Sequence, residues 1–244
     1  MAVWGTGVSY SERVDWVEEL IEWFESLDPH TYGVEIPNCP GWTVANMVAH
    51  VAIDGFDWVT LATHPPALGV GAVGRARAAF PSDGGGELLR GTLRSFLGLL
   101  RSHDGEDGCH YPFWAEQSYV SWATHAVTEL GLHRVDVQHA LGVESAVSEP
   151  QGEVGLEWTV AAVLPVAARL VDDEPPGSVR VVVEGCEAAA LGVGEPLVEV
   201  RGTAVDLLLR LWNRGGAVEV NGDTATVDWW AALMAREFQH PTPS

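Results

Sequence analysis

Four stretches in the first 145 residues carry apolar side chains at alternating three- and four-residue steps, and glycine, proline or capping residues bound them, which restricts this half to a bundle of amphipathic helices. Val14, Val17, Leu20, Ile21 and Phe24 set a first helix over residues 10–27. Residues 28–40 read as a loop. After the Cys39-Pro40-Gly41-Trp42 turn, Thr43 is placed to cap a second helix whose buried stripe includes Met47, Val51 and Trp58 and which ends before Pro65 and Pro66. Glycine and proline dominate 65–86, a third helix is expected over 87–101, and a fourth over 116–141 with Gly142 as its C-terminal cap. Helices joined in this order make an up-and-down four-helix bundle.

The periodicity changes after a polar stretch, 143–155, that contains proline and glycine, so the domains are expected at 1–145 and 155–244. Residues 156–170 look helical, 178–184 and 196–201 look like strands, and Thr203 caps a helix over 203–213. A short strand at 217–221 and a last helix at 224–238 complete a small α+β domain. The expected fold class is therefore multi-domain, α followed by α+β.

A net charge of −21 gives a surface that repels phosphate backbones and acidic headgroups, which argues against nucleic acid as a partner. All 13 basic residues are arginine, so Schiff-base and P-loop chemistry are excluded together. Cys39, Cys109 and Cys186 fit neither a disulfide framework nor a metal knuckle. The first residues lack the layout of a signal peptide. The longest apolar run, Trp158 to Leu170, contains Pro165 and falls short of the roughly 20 residues that span a bilayer. A cytoplasmic protein without membrane partners is expected, with its oligomeric state open.

In THAVTELGLHRVDVQHALG, Glu129 and His133 stand four apart on one helix face, which is ligand spacing for a metal and equally the spacing of an exposed ion pair. His125 shares that face, but eight residues of helix rise about 12 Å, too far for His125 and His133 to bind one ion. His50 lies within the second helix among apolar neighbours, where bundles build metal sites, although a lone helical histidine also suits a satisfied core. His64, His103, His110 and His240 fall in loops or the tail, and His139 falls on another face. Two histidines and a carboxylate leave an open position, as in catalytic zinc sites, and also suit non-haem iron.

The blocks CPGWTVANMVAHVA (39–52), ELGLHRVDVQHALG (129–142) and RGTAVDLLLRLWNRGG (201–216) resemble the mycothiol-dependent maleylpyruvate isomerase family of the DinB-like superfamily. The resemblance spans nearly the whole chain, and members differ in reaction. It implies a DinB-like bundle holding zinc on His50, Glu129 and His133. It also implies mycothiol as thiol cofactor or cosubstrate and an electrophilic small molecule as substrate. An arginine implicated in activity in the family's second domain maps to Arg214, which suits a carboxylate clamp and also a helix-end cap. Mycothiol belongs to certain G+C-rich bacteria, with which the absence of lysine agrees.

The expected function is a zinc-dependent, mycothiol-using enzyme, either a cis/trans isomerase of the maleylpyruvate type or an S-transferase. The alternatives are a non-catalytic binding or accessory protein on the same scaffold and a biosynthetic enzyme with a changed thiol or substrate. Asp54, one turn after His50, reads as an imidazole orienter or a solvated side chain, the latter slightly favoured. Trp42, Trp114 and Trp122 are candidates to line a pocket. Cys39 reads as part of a turn rather than a nucleophile. The G-x-G-x-x-G match at Gly69–Gly74 lacks a preceding strand and is set aside as a dinucleotide site.

Overall fold

A computed structural model of the chain describes residues 6–64, 86–110, 118–145, 147–170, 177–184, 189–191 and 195–238. The Gly69–Gly74 run, Trp114, Cys186 and His240 lie outside them. The chain divides into two compact units at residues 146/147. No helix among the described residues is long and apolar enough to cross a membrane.

The N-terminal unit is an up-and-down bundle of α1 (Tyr10–Glu25), α2 (Val44–Thr63), α3 (Gly86–Arg101) and α4 (Tyr119–Ala140). Ser9 and Glu12 form a capping box that starts α1, and Thr43 and Asn46 form another that starts α2. The predicted stripe of α1 is buried as a unit, from Val14 to Phe24. Residues 28–40 are less open than a bare loop. A short 3-10 turn occupies Pro29–Thr31, and Glu35 bridges to Thr43. Trp42 N donates to the Cys39 carbonyl and Ile36 N to the Trp42 carbonyl, with Gly41 at φ 83° supplying the left-handed step. This knot fixes where α2 begins.

Helix α2 packs on α3, and α1 packs on α4. Gly55 allows the α2–α3 approach, since a Cβ there would stand 2.8 Å from Leu93 Cδ2 and 3.0 Å from Leu93 N.

The C-terminal unit begins earlier than its pattern suggests. Helix α5 (Glu149–Trp158) starts within the stretch expected to be polar linker, because Ser148 and Gln151 cap it and Pro150 occupies the first turn, where its missing N–H costs nothing. A π-helical turn (Thr159–Val163) joins it to α6 (Leu164–Leu170). Strands β1 (Ser178–Val183), β2 (Ala189–Leu191), β3 (Pro196–Gly202) and β4 (Glu219–Gly222) form a sheet in the order β2-β1-β3-β4. The central pair is parallel and both outer pairs are antiparallel. Strand β2, in an alanine-rich stretch with no alternation, has no period-two signal to announce it. Helices α7 (Ala204–Leu211) and α8 (Thr224–Phe238) contact β1 and β3. Val179, Val181, Val198, Val200, Leu207, Leu211, Val227 and Trp230 are buried, a core made by alternating strand positions and helical stripes.

Candidate metal centre

Helix α2 contributes His50 and Asp54, four residues apart, and α4 contributes Glu129 and His133 at the same spacing. Two helices side by side thus each offer an imidazole and a carboxylate at one level. The four donor atoms all lie within 4.8 Å of one another. His50 Nε2 stands 3.0 Å from His133 Nε2, 3.1 Å from Asp54 Oδ2 and 3.6 Å from Glu129 Oε1, and His133 Nε2 is 3.0 Å from Glu129 Oε1. His50, Asp54 and His133 are buried, whereas the Glu129 side chain keeps 15% exposure and gives the cluster its open side.

These separations match a cation better than they match hydrogen bonds. A ring Nε2 has one position in the ring plane, holding either one proton or one lone pair, yet His50 Nε2 has three ligand-type atoms around it, on His133, Asp54 and Glu129. One proton cannot satisfy three directions. Ligands at roughly 2.0–2.1 Å around a tetrahedral ion stand about 3.3 Å apart, close to the 3.0–3.6 Å found among the donor atoms of His50, Glu129 and His133. The residues fit a divalent metal.

Asp136 backs the cluster. It is fully buried, and its Oδ2 lies 3.4 Å from His133 Nδ1, an acceptor that can hold a ring proton on Nδ1 and leave the Nε2 lone pair for a cation. Asn38 Nδ2 donates to Asp136 Oδ1 at 3.1 Å, and Cys39 Sγ approaches Oδ2 at 3.8 Å. The turn before α2 therefore anchors the carboxylate that orients a residue of α4. The Trp42 ring meets His50 edge-on at 5.4 Å.

Burial alone would raise the Glu129 carboxyl. The charge of His133 and hydrogen bonds from His133 and His50 reverse that and hold it well below the ordinary range. Burial likewise pushes His133 down, and the carboxylates of Glu129 and Asp136 overcome it, raising the imidazole. The cluster therefore carries an excess of negative charge that a proton on His133 offsets where a cation does not.

The residues expected at the site fall in two places. His50, Glu129 and His133 come together. Arg214 lies in the C-terminal unit just after α7, where its Nη1 donates to the Trp212 carbonyl at 2.9 Å. His125, one turn before Glu129, is buried with its ring parallel to Trp122 at 5.8 Å and beside Trp58 at 5.3 Å. His64 caps the end of α2 through the Thr60 carbonyl, His103 stacks on Tyr119, and His139 is exposed. Cys39 is the turn residue expected, with the added contact to Asp136.

Asp54 is the correction. It is 6% exposed and a member of the cluster rather than a solvated side chain. Its signal was its spacing, since His50 and Asp54 repeat the i,i+4 step of Glu129 and His133. Asp136, three residues after His133, is a second site residue that the sequence pattern does not single out.

A family model described as the mycothiol maleylpyruvate isomerase N-terminal domain matches residues 15–138, just over half of the 244 residues. Two solved structures, a mycothiol-dependent maleylpyruvate isomerase and a histidine-to-alanine mutant of it, each superpose with a TM-score of 0.57 at 16% identity. Each match covers 89% of this chain and 95% of the other. At that identity the likeness is one of fold. No curated protein matches.

Proposed function

The chain belongs to the mycothiol maleylpyruvate isomerase family, and on that premise we propose that it is a zinc-dependent enzyme that uses a low-molecular-weight thiol, mycothiol first, on an electrophilic unsaturated small molecule. The observation that carries this reading is the convergence of four donor atoms inside the bundle.

His50, Glu129 and His133 would hold the ion through Nε2, Oε1 and Nε2. Three protein ligands leave a position for substrate, as catalytic zinc sites require. When bound, a dication supplies acidification of a thiol whose ordinary pKa is about 8.5, so that the thiolate is available at neutral pH. Asp54 Oδ2, within 3.1 Å of His50 Nε2, is placed to accept the thiol proton. Asp136 keeps His133 in the tautomer that can ligate. Arg214 is assigned to a substrate carboxylate, which its planar guanidinium can meet with two parallel hydrogen bonds.

The thiolate sulfur forms a bond to one carbon of the double bond, and the displaced electron pair is delocalised onto the neighbouring carbonyl. The former double bond is now single and rotates. Return of the electron pair breaks the C–S bond, regenerates the thiolate and leaves the trans alkene, with no net change in composition. If the carbanion takes a proton instead, the product is a stable thioether, and the enzyme is an S-transferase.

Incubating the zinc-loaded protein with mycothiol and maleylpyruvate, followed by absorbance and mass spectrometry, tests the reading. The expected result is conversion that needs both thiol and metal, with either the trans isomer or a thioether as product. Full activity in chelator-stripped protein contradicts the metal's part. Stoichiometric zinc with no turnover of any electrophile favours a binding or accessory role.

A further inference from the structure

The chain enters α2 through two successive β-turns that the run Ile36-Pro37-Asn38-Cys39-Pro40-Gly41-Trp42 specifies. Cys39 N donates to the Ile36 carbonyl at 3.1 Å and closes the first, with Pro37 at its second position, where the proline ring presets φ. Trp42 N donates to the Cys39 carbonyl at 2.9 Å and closes the second, with Pro40 in the same place and Gly41 at φ 83°, as a type II turn demands. Ile36 N donates to the Trp42 carbonyl at 2.9 Å and ties the ends together, while Val44 N and Ala45 N donate to the Val34 and Tyr32 carbonyls. Ile36 and Trp42 are buried. Asn38 and Cys39 therefore stand where the two turns join, on backbone held from both sides.

Both side chains at that junction meet Asp136. Asn38 Nδ2 donates to Oδ1 at 3.1 Å, and Cys39 Sγ lies 3.8 Å from Oδ2, the oxygen that stands 3.4 Å from His133 Nδ1. A carboxylate only accepts, so the nitrogen of the Asn38 amide, rather than its oxygen, is the end that belongs there. Asp136 is fully buried, where an ionised carboxylate is costly unless donors surround it. A bond to Oδ1 also fixes the roll of the carboxylate plane, and with it the direction from which Oδ2 meets the imidazole. The same turn reaches the other histidine of the cluster, since the Trp42 ring meets His50 edge-on.

We propose, on the metal reading given above, that Asn38 is a positioning residue for the metal centre: by holding Asp136 it keeps the His133 ring turned so that Nε2 stays directed into the cluster. Asn38 acts at one remove from the imidazole, so its loss costs less than the loss of Asp136 itself.

The test uses the full-length protein, with zinc as the probe and competition against a chromophoric chelator as the assay. Asn38→Ala should weaken zinc by about three- to tenfold, the effect of one hydrogen bond to a charged group and less than a direct orienting partner of a ligand contributes. In Asp136→Ala, where no carboxylate remains to be held, adding Asn38→Ala should change the zinc Kd by less than about twofold. A residue that merely shapes the turn would weaken zinc equally in both backgrounds. In parallel, the His133 Nδ1–H resonance of the zinc-loaded protein should shift and exchange faster with water in Asn38→Ala, a readout that does not depend on the folding of Asp136→Ala. A zinc Kd of folded Asn38→Ala within about twofold of native, an equal loss in both backgrounds, or a His133 resonance that ignores the substitution overturns the proposal. A native protein that takes up no zinc overturns the metal reading along with it, whereas native uptake with an unresponsive Asn38→Ala overturns the positioning role alone.

Discussion

Replacing Asp136 with asparagine keeps the shape of a fully buried side chain and removes only its charge and one acceptor. In the native protein, Oδ1 accepts from Asn38 at 3.1 Å and Oδ2 faces His133 Nδ1 at 3.4 Å. An asparagine can satisfy one of these donors with its carbonyl, and its amide must then confront the other. If the amide faces His133, the ring is driven to the Nε2–H tautomer, which blocks the lone pair a metal needs. If the amide faces Asn38, the half-buried Asn38 amide must turn over to offer its carbonyl or leave two NH2 groups opposed, the latter at a cost of about 1–3 kcal/mol. Loss of such an orienting partner lowers metal affinity by about 10- to 100-fold, or about 1.4–2.8 kcal/mol. The rather long 3.4 Å contact places Asp136→Asn toward the lower end of that range. Competition with a chromophoric chelator measures the zinc Kd, and circular dichroism checks that the helices persist. A folded Asp136→Asn protein with a zinc Kd within about twofold of the native value would refute the orienting role.

Three further outcomes are expected. Burial pushes His125 down to about 4 from 6.5, against the raising pull of Glu129, so between those values the unfolded chain binds a proton that the folded chain refuses. Stability should therefore fall as pH drops through that window, by up to about 3 kcal/mol, and the fall should flatten in His125→Gln; urea melts of chelator-treated protein near pH 7 and near pH 4.5 with equal slopes for both proteins would contradict this. Asp54→Asn should retain zinc, because three ligands remain, yet shift thiol ionisation and activity to higher pH; loss of the metal would make Asp54 a ligand instead. Gly55→Ala should lower stability, since the overlap with Leu93 costs about 1–3 kcal/mol and the gain in helix propensity returns only about 0.5–1; a melting temperature at or above native would show that α2 and α3 separate freely.

The bundle was readable because its helices are amphipathic with period 3.6 and carry local start signals, Ser9 with Glu12 and Thr43 with Asn46, that act within four residues. Glu129 and His133 were readable for the same reason, since one helix fixes their relation. His50 needed the packing of α2 beside α4, which no local pattern encodes, and only its apolar surroundings and the family resemblance pointed to it. Asp54 reads as solvated because a carboxylate ordinarily is, whereas it is buried beside His50, whose Nε2 also faces Glu129 of α4. Asp136 depends likewise on Asn38, almost a hundred residues earlier. In the C-terminal unit the early start of α5 was hidden by glycine and proline that read as linker, although Ser148 and Gln151 form the same kind of box as those that mark α1 and α2.

The central claim is that the bundle holds one divalent ion on His50, Glu129 and His133. Metal analysis of the purified protein, reconstituted with zinc and desalted, tests it directly when repeated on His50→Ala and Glu129→Ala. The account predicts about one zinc per native chain and a small fraction of that in either variant. A native protein that retains no zinc, or folded variants that each retain a full equivalent, would contradict it.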